Sequence, residues 1–302
     1  MALDPITVIE RGWLSSNSIL ICGPQSTALI DSGYCTHSDQ TLALVEAALG
    51  ARALDVLVNT HLHSDHCGGN AALQQRYPGL TTLIPPGQSQ HVKSWNPDTL
   101  GFAPTGQCCP KFGFDAVLKS GTDIVLGDMA WQVHAAPGHD PHSVILFEPD
   151  SRILVSADAL WENGFGVVFA ELEGVSAFDE VGQTLDLIET LAPRQVIPGH
   201  GPAFFDVEKS LMVARKRLQG FAENPVKHSQ YAAKVLLKFK LLELQSIEEA
   251  HLKSWAQATP YFSLIHGHHF DDSEFTPWID QLVTDLIRSG AATRDGVLIK
   301  NA

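Results

Sequence analysis

The stretch Thr60-His61-Leu62-His63-Ser64-Asp65-His66-Cys67-Gly68-Gly69 decides how the rest of the chain is read. It places three imidazoles and a carboxylate between positions 61 and 66. That donor set suits zinc, iron or manganese rather than calcium or magnesium. In an extended segment His61 and His63 point to one side, while the neighbours Asp65 and His66 point in different directions. Two ions side by side fit this spacing better than one ion gathering all four groups. The apolar run over residues 54–58 predicts a buried strand before the stretch. Gly68-Gly69 and residues 70–76 predict a tight turn into a helix after it. The cluster thus falls at the carboxyl end of a strand, where α/β proteins usually place their chemistry.

A two-ion site needs more ligands than these four. His139, Asp158 and His200 are the best remaining candidates, because each follows an apolar run in a turn where a side chain can reach a shared edge. Asp158 has two oxygens and can serve two ions. A lone histidine is more often an ordinary surface or hydrogen-bonded residue, and His134, His142, His228 and His251 are read that way. For the seven together that reading fails.

Short β-rich runs at 6–10, 18–21 and 27–30 predict an antiparallel meander, and Ser38 is expected to cap a helix over 39–49. Further strands are expected at 80–84, 124–126, 130–135, 143–147, 153–156 and 195–197, with a helix over 177–191. Residues 85–121 are irregular and carry Trp95, Phe102, Phe112 and Phe114; a loop this long is expected to form a pocket wall. Trp161, Phe165 and Phe169 suggest an apolar wall for an acyl group, with core packing as the alternative. From Asp206 the pattern turns helical, with helices over 207–221, 226–244 and 273–289. Ser246-Ile247-Glu248-Glu249 has the letters of a capping box starting a helix to Ala258. A hairpin turning at Asp295-Gly296 closes the chain. His266, His268 and His269 read as a polar turn that lines the pocket or caps a helix, and no metal is assigned to them.

The net charge of −14 argues against general nucleic-acid affinity and anionic membranes. The start of the chain reads as no secretory signal, and no apolar run is long enough to span a bilayer. Five cysteines (22, 35, 67, 108 and 109) follow no disulfide framework and suit a reducing cytoplasm. The adjacent pair Cys108-Cys109 is read as structural or incidental.

The chain resembles the metallo-β-lactamase superfamily, in its glyoxalase II-like or lactonase-like branch. The resemblance rests on Leu29-Ile30-Asp31-Ser32-Gly33, the stretch at 60–69, Ala136-Pro137-Gly138-His139, Ser156-Ala157-Asp158 and Pro198-Gly199-His200-Gly201. These pieces occur in the family's order across about residues 5–205. The resemblance implies an α+β fold, a four-layer αβ/βα sandwich with the metals at one edge of two sheets. Here the sandwich would be followed by a helical, winged-helix-like extension, dividing the chain into a catalytic domain over 1–224 and a C-terminal domain over 225–302.

It also implies a ligand partition for two divalent ions, Zn2+ first, with Fe or Mn as alternatives. His61, His63 and His139 would take one ion, Asp65, His66 and His200 the other, and Asp158 would bridge. A hydroxide between the ions would be the nucleophile, because metal binding brings the pKa of water to about 7. Asp65 would orient it and pass a proton to the leaving group. Asp31 would support the metal-binding loop from outside. The bridging aspartate, which true β-lactamases generally lack, points to thioesterases, lactonases and nucleases.

The expected activity is therefore hydrolysis of a small ester, thioester or lactone by a cytoplasmic metal-dependent hydrolase. Its partner would be a small molecule rather than nucleic acid or membrane, with a homo-oligomer compatible. The alternative is an endoribonuclease or phosphodiesterase using the same site. Its support is the tail, where residues 206–253 hold nine Lys/Arg against six Asp/Glu. Solvated faces of amphipathic helices are the preferred reading of those charges, because the patch is small and the rest of the chain is strongly acidic.

Overall fold

A computed structural model describes residues 5–302. Its first sheet runs in spatial order through β1 (Ile6–Ile9), β2 (Ser18–Cys22), β3 (Thr27–Ile30), β4 (Val56–Val58), β5 (Thr81–Ile84) and β6 (Ala116–Val117). The first three strands form the expected antiparallel meander, and β3 to β6 pair in parallel. The second sheet has the order β11-β10-β9-β8-β7, where β7 is Thr122–Leu126, β8 Met129–Ala135, β9 Val144–Glu148, β10 Ile153–Ala157 and β11 Gln195–Pro198.

Strand alternation decides the layering. On β2, Ile19 and Ile21 face Trp131, Val133, Val144 and Leu146 of the other sheet. Leu20 between them turns the other way and packs with Val45, Leu49 and Leu73. Those residues belong to α1 (Ser38–Leu49) and α3 (Asn70–Arg76), separated by the single-turn α2 (Ser64–Cys67). On the far side, Ile145, Phe147 and Leu154 pack with Val181, Leu185 and Ile188. The short helices α4 (Ser89–Ser94) and α5 (Phe169–Leu172) precede that outer layer, which is α6 (Phe178–Leu191) and α7 (Val207–Glu223). The result is helix, sheet, sheet, helix, the expected four layers.

The C-terminal part comprises α8 (Pro225–Leu244), α9 (Glu249–Ala258), α10 (Pro260–His269) and α11 (Phe275–Arg288). A small sheet, β12 (Ser246–Glu248) with β13 (Ala292–Asp295) and β14 (Leu298–Asn301), accompanies them in the order β12-β14-β13. Their shared core includes Leu236, Leu241, Phe262, Ile279 and Leu282, and it also takes in Val167 and Leu172 from the sandwich side.

Several local expectations are corrected. Ser246 caps nothing: residues 246–248 are a strand in register with 298–300, and α9 begins only at Glu249. Ser38 is the first residue of α1 rather than its cap, and its hydroxyl donates to the Cys35 carbonyl. Gly68-Gly69, by contrast, is the expected turn into a helix, both residues keeping right-handed angles between α2 and α3. Glycine is needed there for close approach. A Cβ on Gly68 would lie 2.5 Å from the Cys35 nitrogen, and one on Gly69 2.4 Å from the Ser32 carbonyl oxygen. The segment holding His266, His268 and His269 is the last turn of a helix, and none of the three lines the main cavity. Among the described residues, no helix is long and apolar enough to cross a membrane.

Candidate metal centre

The seven candidate ligands come from five separate places and meet at one edge of the two sheets. His61 and His63 follow β4, Asp65 and His66 lie in α2, His139 follows β8, Asp158 follows β10 and His200 follows β11. Three triads have ligand atoms within 4.8 Å of one another: His61, His63 and His139; His61, His66 and Asp158; Asp65, His66 and His200. Asp158 lies between the outer two. Its Oδ1 is 3.5 Å from His66 Nε2, and its Oδ2 is 3.5 Å from His139 Nε2 and 3.8 Å from His200 Nε2.

Backbone strain helps to place the carboxylates. Ala157 adopts φ +46° beside a register shift in the β10–β11 ladder, and Asp31 adopts φ +58° at the end of β3. Non-glycine residues rarely take such angles, and they persist where surrounding bonds over-determine them. Asp31 has those bonds. Its Oδ1 accepts the Thr60 amide at 2.9 Å, and its Oδ2 accepts the Thr60 hydroxyl at 2.7 Å and His66 Nδ1–H at 2.8 Å. The Thr60 oxygen, having donated its proton to Asp31, accepts from His61 Nδ1 at 3.2 Å. One carboxylate outside the ligand set thus fixes two imidazoles in the tautomer whose Nε2 lone pair faces the centre. His139 is fixed the same way, by its Nδ1–H donating to the Val167 carbonyl at 2.6 Å.

The consequence tests the metal reading. Nε2 of His61, His66 and His139 is buried without a hydrogen-bond partner in each case. A buried nitrogen left so is costly, and three converging on two carboxylates are what a cation site leaves when only protein atoms are considered. The electrostatics agree. Burial would raise Asp158, but His200 and His66 hold it well below the usual carboxylate range. Asp65 is likewise lowered against its burial, chiefly by His66 and then by its bond from His200. Burial lowers His139 to about 4, helped by His63. Burial would also lower His66, but Asp31, Asp158 and Asp65 overcome it and raise the imidazole, and the negative surroundings that favour a proton on Nε2 favour a metal cation in its place. The donors therefore fit divalent cations of the zinc, iron or manganese class.

Trp13 and Asn17 carry no local signal in the sequence. Trp13 stacks on the His200 ring at 5.3 Å with 9° between planes, and Trp161 Nε1 donates to Asp158 Oδ1 at 3.1 Å. Asn17, between β1 and β2, donates to the carbonyls of Pro198 and Gly201 and so ties down the His200 loop. The loop at 85–121 forms the expected pocket wall and also packs on itself. Residues 99–102, Thr105 and Gln107 line a cavity above the ligands, while Trp95, Phe102 and Phe112 pack on one another. Trp161 and Phe169 line that cavity too, whereas Phe165 is buried in the core. Of the histidines read as ordinary, His142 lines the cavity, and His228 is buried with its Nε2 accepting the Val168 amide at 3.1 Å. The adjacent thiols pair separately: Cys108 Sγ lies 2.9 Å from Cys35 Sγ, and Cys109 Sγ 3.8 Å from Cys67 Sγ.

Comparison with known proteins agrees with this geometry. The family model of the metallo-beta-lactamase superfamily matches residues 11–200, which span the whole ligand set. Hydroxyacylglutathione hydrolase of Brucella anthropi is 28% identical over 204 residues, 66% of this chain and 64% of that protein. The enzyme of the same name in Brucella abortus is 26% identical over 155 residues, half of each chain. The aligned stretch thus covers less than two thirds of these relatives. A metallo-beta-lactamase family protein of Thermus thermophilus superposes with a TM-score of 0.59 at 17% identity, over the full length of both chains. TTHA1623 in a di-iron-bound form gives a TM-score of 0.53 at 24% identity, over 69% of this chain and 98% of that one. The chain belongs to the metallo-beta-lactamase superfamily.

Proposed function

We propose that the seven side chains hold two divalent ions, Zn2+ first, and that the protein hydrolyses a small ester, thioester or lactone. The observation that carries this reading is the convergence of three buried, unpartnered Nε2 atoms around Asp158, at the floor of a cavity of about 300 Å3. Bound ions of this class supply activated water and polarise a carbonyl oxygen. The residues supply the rest. His61, His63 and His139 form one ligand set, Asp65, His66 and His200 the other, and Asp158 is shared. Asp65 Oδ2, which accepts from His200 Nε2 at 3.1 Å, is the carboxylate positioned to orient the attacking water and to carry its proton to the leaving atom. Asp31 stays outside and keeps His61 and His66 aimed. Trp13 and Trp161 shield one flank of Asp158 and His200 from solvent.

Cleavage of a phosphodiester by the same centre is the weaker reading, because several of the tail's basic residues are engaged within the protein. Lys253 pairs with Asp280 at 2.5 Å, Arg215 with Asp186 and Glu189, and Lys238 donates to the Ala291 carbonyl and Asn301. A small molecule in a cytoplasmic setting remains the proposed context. Metal analysis after repletion with zinc, iron or manganese tests the first half of the proposal, with two ions per chain expected. A panel of thioesters, lactones, aryl esters and phosphodiesters tests the second. One ion per chain, or turnover confined to phosphodiesters, would contradict it.

A further inference from the structure

The cavity above the ligands has mainly aromatic and aliphatic walls, with the neutral polar side chains of Gln88, Thr99, Thr105 and Gln107 among them. Trp13 and Phe169 rise beside the histidines, Phe102 comes from the long loop, and Tyr231, Leu236 and Phe239 come from one face of α8. Above the ligand set, the charged side chains on these walls are Asp140 and Glu173, both acidic; among the described residues, no Lys or Arg lines the cavity. Cations nearby are turned to other uses. Lys240 pairs with Glu243 at 2.5 Å, and Arg217 lies over the Tyr231 ring at 5.2 Å. Positive charge is thus confined to the floor, where the metal would sit.

From this we infer that the site takes an uncharged, apolar acyl group on a carrier without carboxylates, and that α8, through Tyr231, Leu236 and Phe239, sets this specificity. The inference rests on the hydrolase reading. Glutathione carries two carboxylates. In this cavity they would meet Asp140, Glu173 and aromatic faces, with no guanidinium or ammonium to replace the water they lose. An alkyl chain meets apolar surface along the same path. In the reaction, water gives its hydroxyl to the acyl carbon, the acyl–sulfur or acyl–oxygen bond breaks, and the departing atom takes the remaining proton. No oxidant or second substrate is required.

The test uses the metal-loaded full chain and two matched series of thioesters, from two to ten acyl carbons. One series is carried on neutral N-acetylcysteamine, the other on glutathione. The expected kcat/KM on the neutral carrier rises about fourfold per methylene until the slot is full, and each neutral thioester exceeds its glutathione partner at least tenfold. A flat chain-length response, or faster turnover of the glutathione series, overturns the inference while leaving the hydrolase reading in place. Hydrolysis of neither series counts against the hydrolase reading, and calorimetric binding then judges the cavity by itself. A neutral decanoyl amide is expected to bind saturably and at least tenfold more tightly than S-decylglutathione. The half-exposed Phe239 is the site of the reciprocal variant, Phe239→Arg, which should narrow that ratio at least fivefold. Equal or reversed affinities in the wild-type chain overturn the inference whatever the variant does.

Discussion

His228 provides the sharpest test of how the C-terminal helices reach the metal centre. Its ring is 1% exposed and sits edge-on to Phe178 and Phe221, at centroid distances of 5.3 and 5.0 Å. Because Nε2 accepts the Val168 amide, the ring must stay neutral there to keep that bond. The next carbonyl back, Val167, is the one that orients His139. Burial holds His228 at about 4, below its ordinary 6.5. Since the folded value is depressed, the unfolded chain takes up the proton first. The stabilisation is complete above pH 6.5 and is lost progressively as pH falls toward 4. For a shift of this size, linkage gives a loss of about 2 kcal/mol between pH 7 and pH 5.

The assay is urea unfolding of wild type and His228→Gln at a series of pH values. Glutamine offers an acceptor oxygen but does not titrate, and the titration of the ligand histidines cancels in the difference between the two proteins. Wild type should lose about 2 kcal/mol more than the variant between pH 7 and pH 5. Parallel curves would refute the reasoning. His228→Leu goes further and leaves the Val168 amide without a partner, at a cost of about 1–3 kcal/mol at any pH. It should also weaken metal affinity roughly tenfold by loosening His139, measured by chelator competition. Unchanged affinity in that variant would confine His228 to stability alone.

Gly199→Ala should abolish binding of at least one ion, because the new Cβ would lie 2.2 Å from Asp158 Oδ1 and 2.9 Å from His66 Cε1. Metal analysis showing full occupancy in that variant would mean that Asp158 moves freely and is not a fixed bridge. Among the thiols, Cys108 should react first with iodoacetamide: it is exposed, and hydrogen bonds from Cys35 and then Tyr34 bring it down to about 6. Cys67, buried and pushed up by that burial, should react last, and mass spectrometry of tryptic peptides reads the order.

What could be read from the sequence follows the range of the forces involved. Each ligand stands in a short turn beside an apolar run, and both features are local. The seven positions were therefore visible as letters, as was Asp31. The meander of β1 to β3 was visible for the same reason, whereas the layering came only with the family resemblance. Local letters misled where a distant partner decides the outcome. Ser246-Ile247-Glu248-Glu249 satisfies a capping rule, yet Ile247 pairs with Ile299, and the strand contact prevails over the cap. The polar turn expected at His266, His268 and His269 is instead the last turn of α10, whose Pro260 stands where proline is favourable in a helix. Gly68 and Gly69 were legible as a turn, but the need for glycine there was not. Its reason is the backbone of residues 32 and 35 passing against them, which no local window contains.

The cavity wall shows the limit most clearly. Trp13, Phe169, Leu236 and Phe239 meet across more than two hundred positions, and each alone has the letters of an ordinary core residue. On α8 the apolar residues serve two surfaces. Leu237 and Leu241 are fully buried among the neighbouring helices, while Leu236 and Phe239 face the cavity. The same helix carries His228, whose hydrogen bond to Val168 steadies the carbonyl that aims His139. A chain ending before residue 225 would keep all seven ligands and the sandwich core. It would lose one wall of the cavity together with the bond that holds the His139 loop. On the reading proposed above, substrate choice and ligand placement share one helix, and a change on its cavity face acts on both. KM and metal affinity consequently have to be measured together in any α8 variant before a shift in specificity is assigned to contact with substrate.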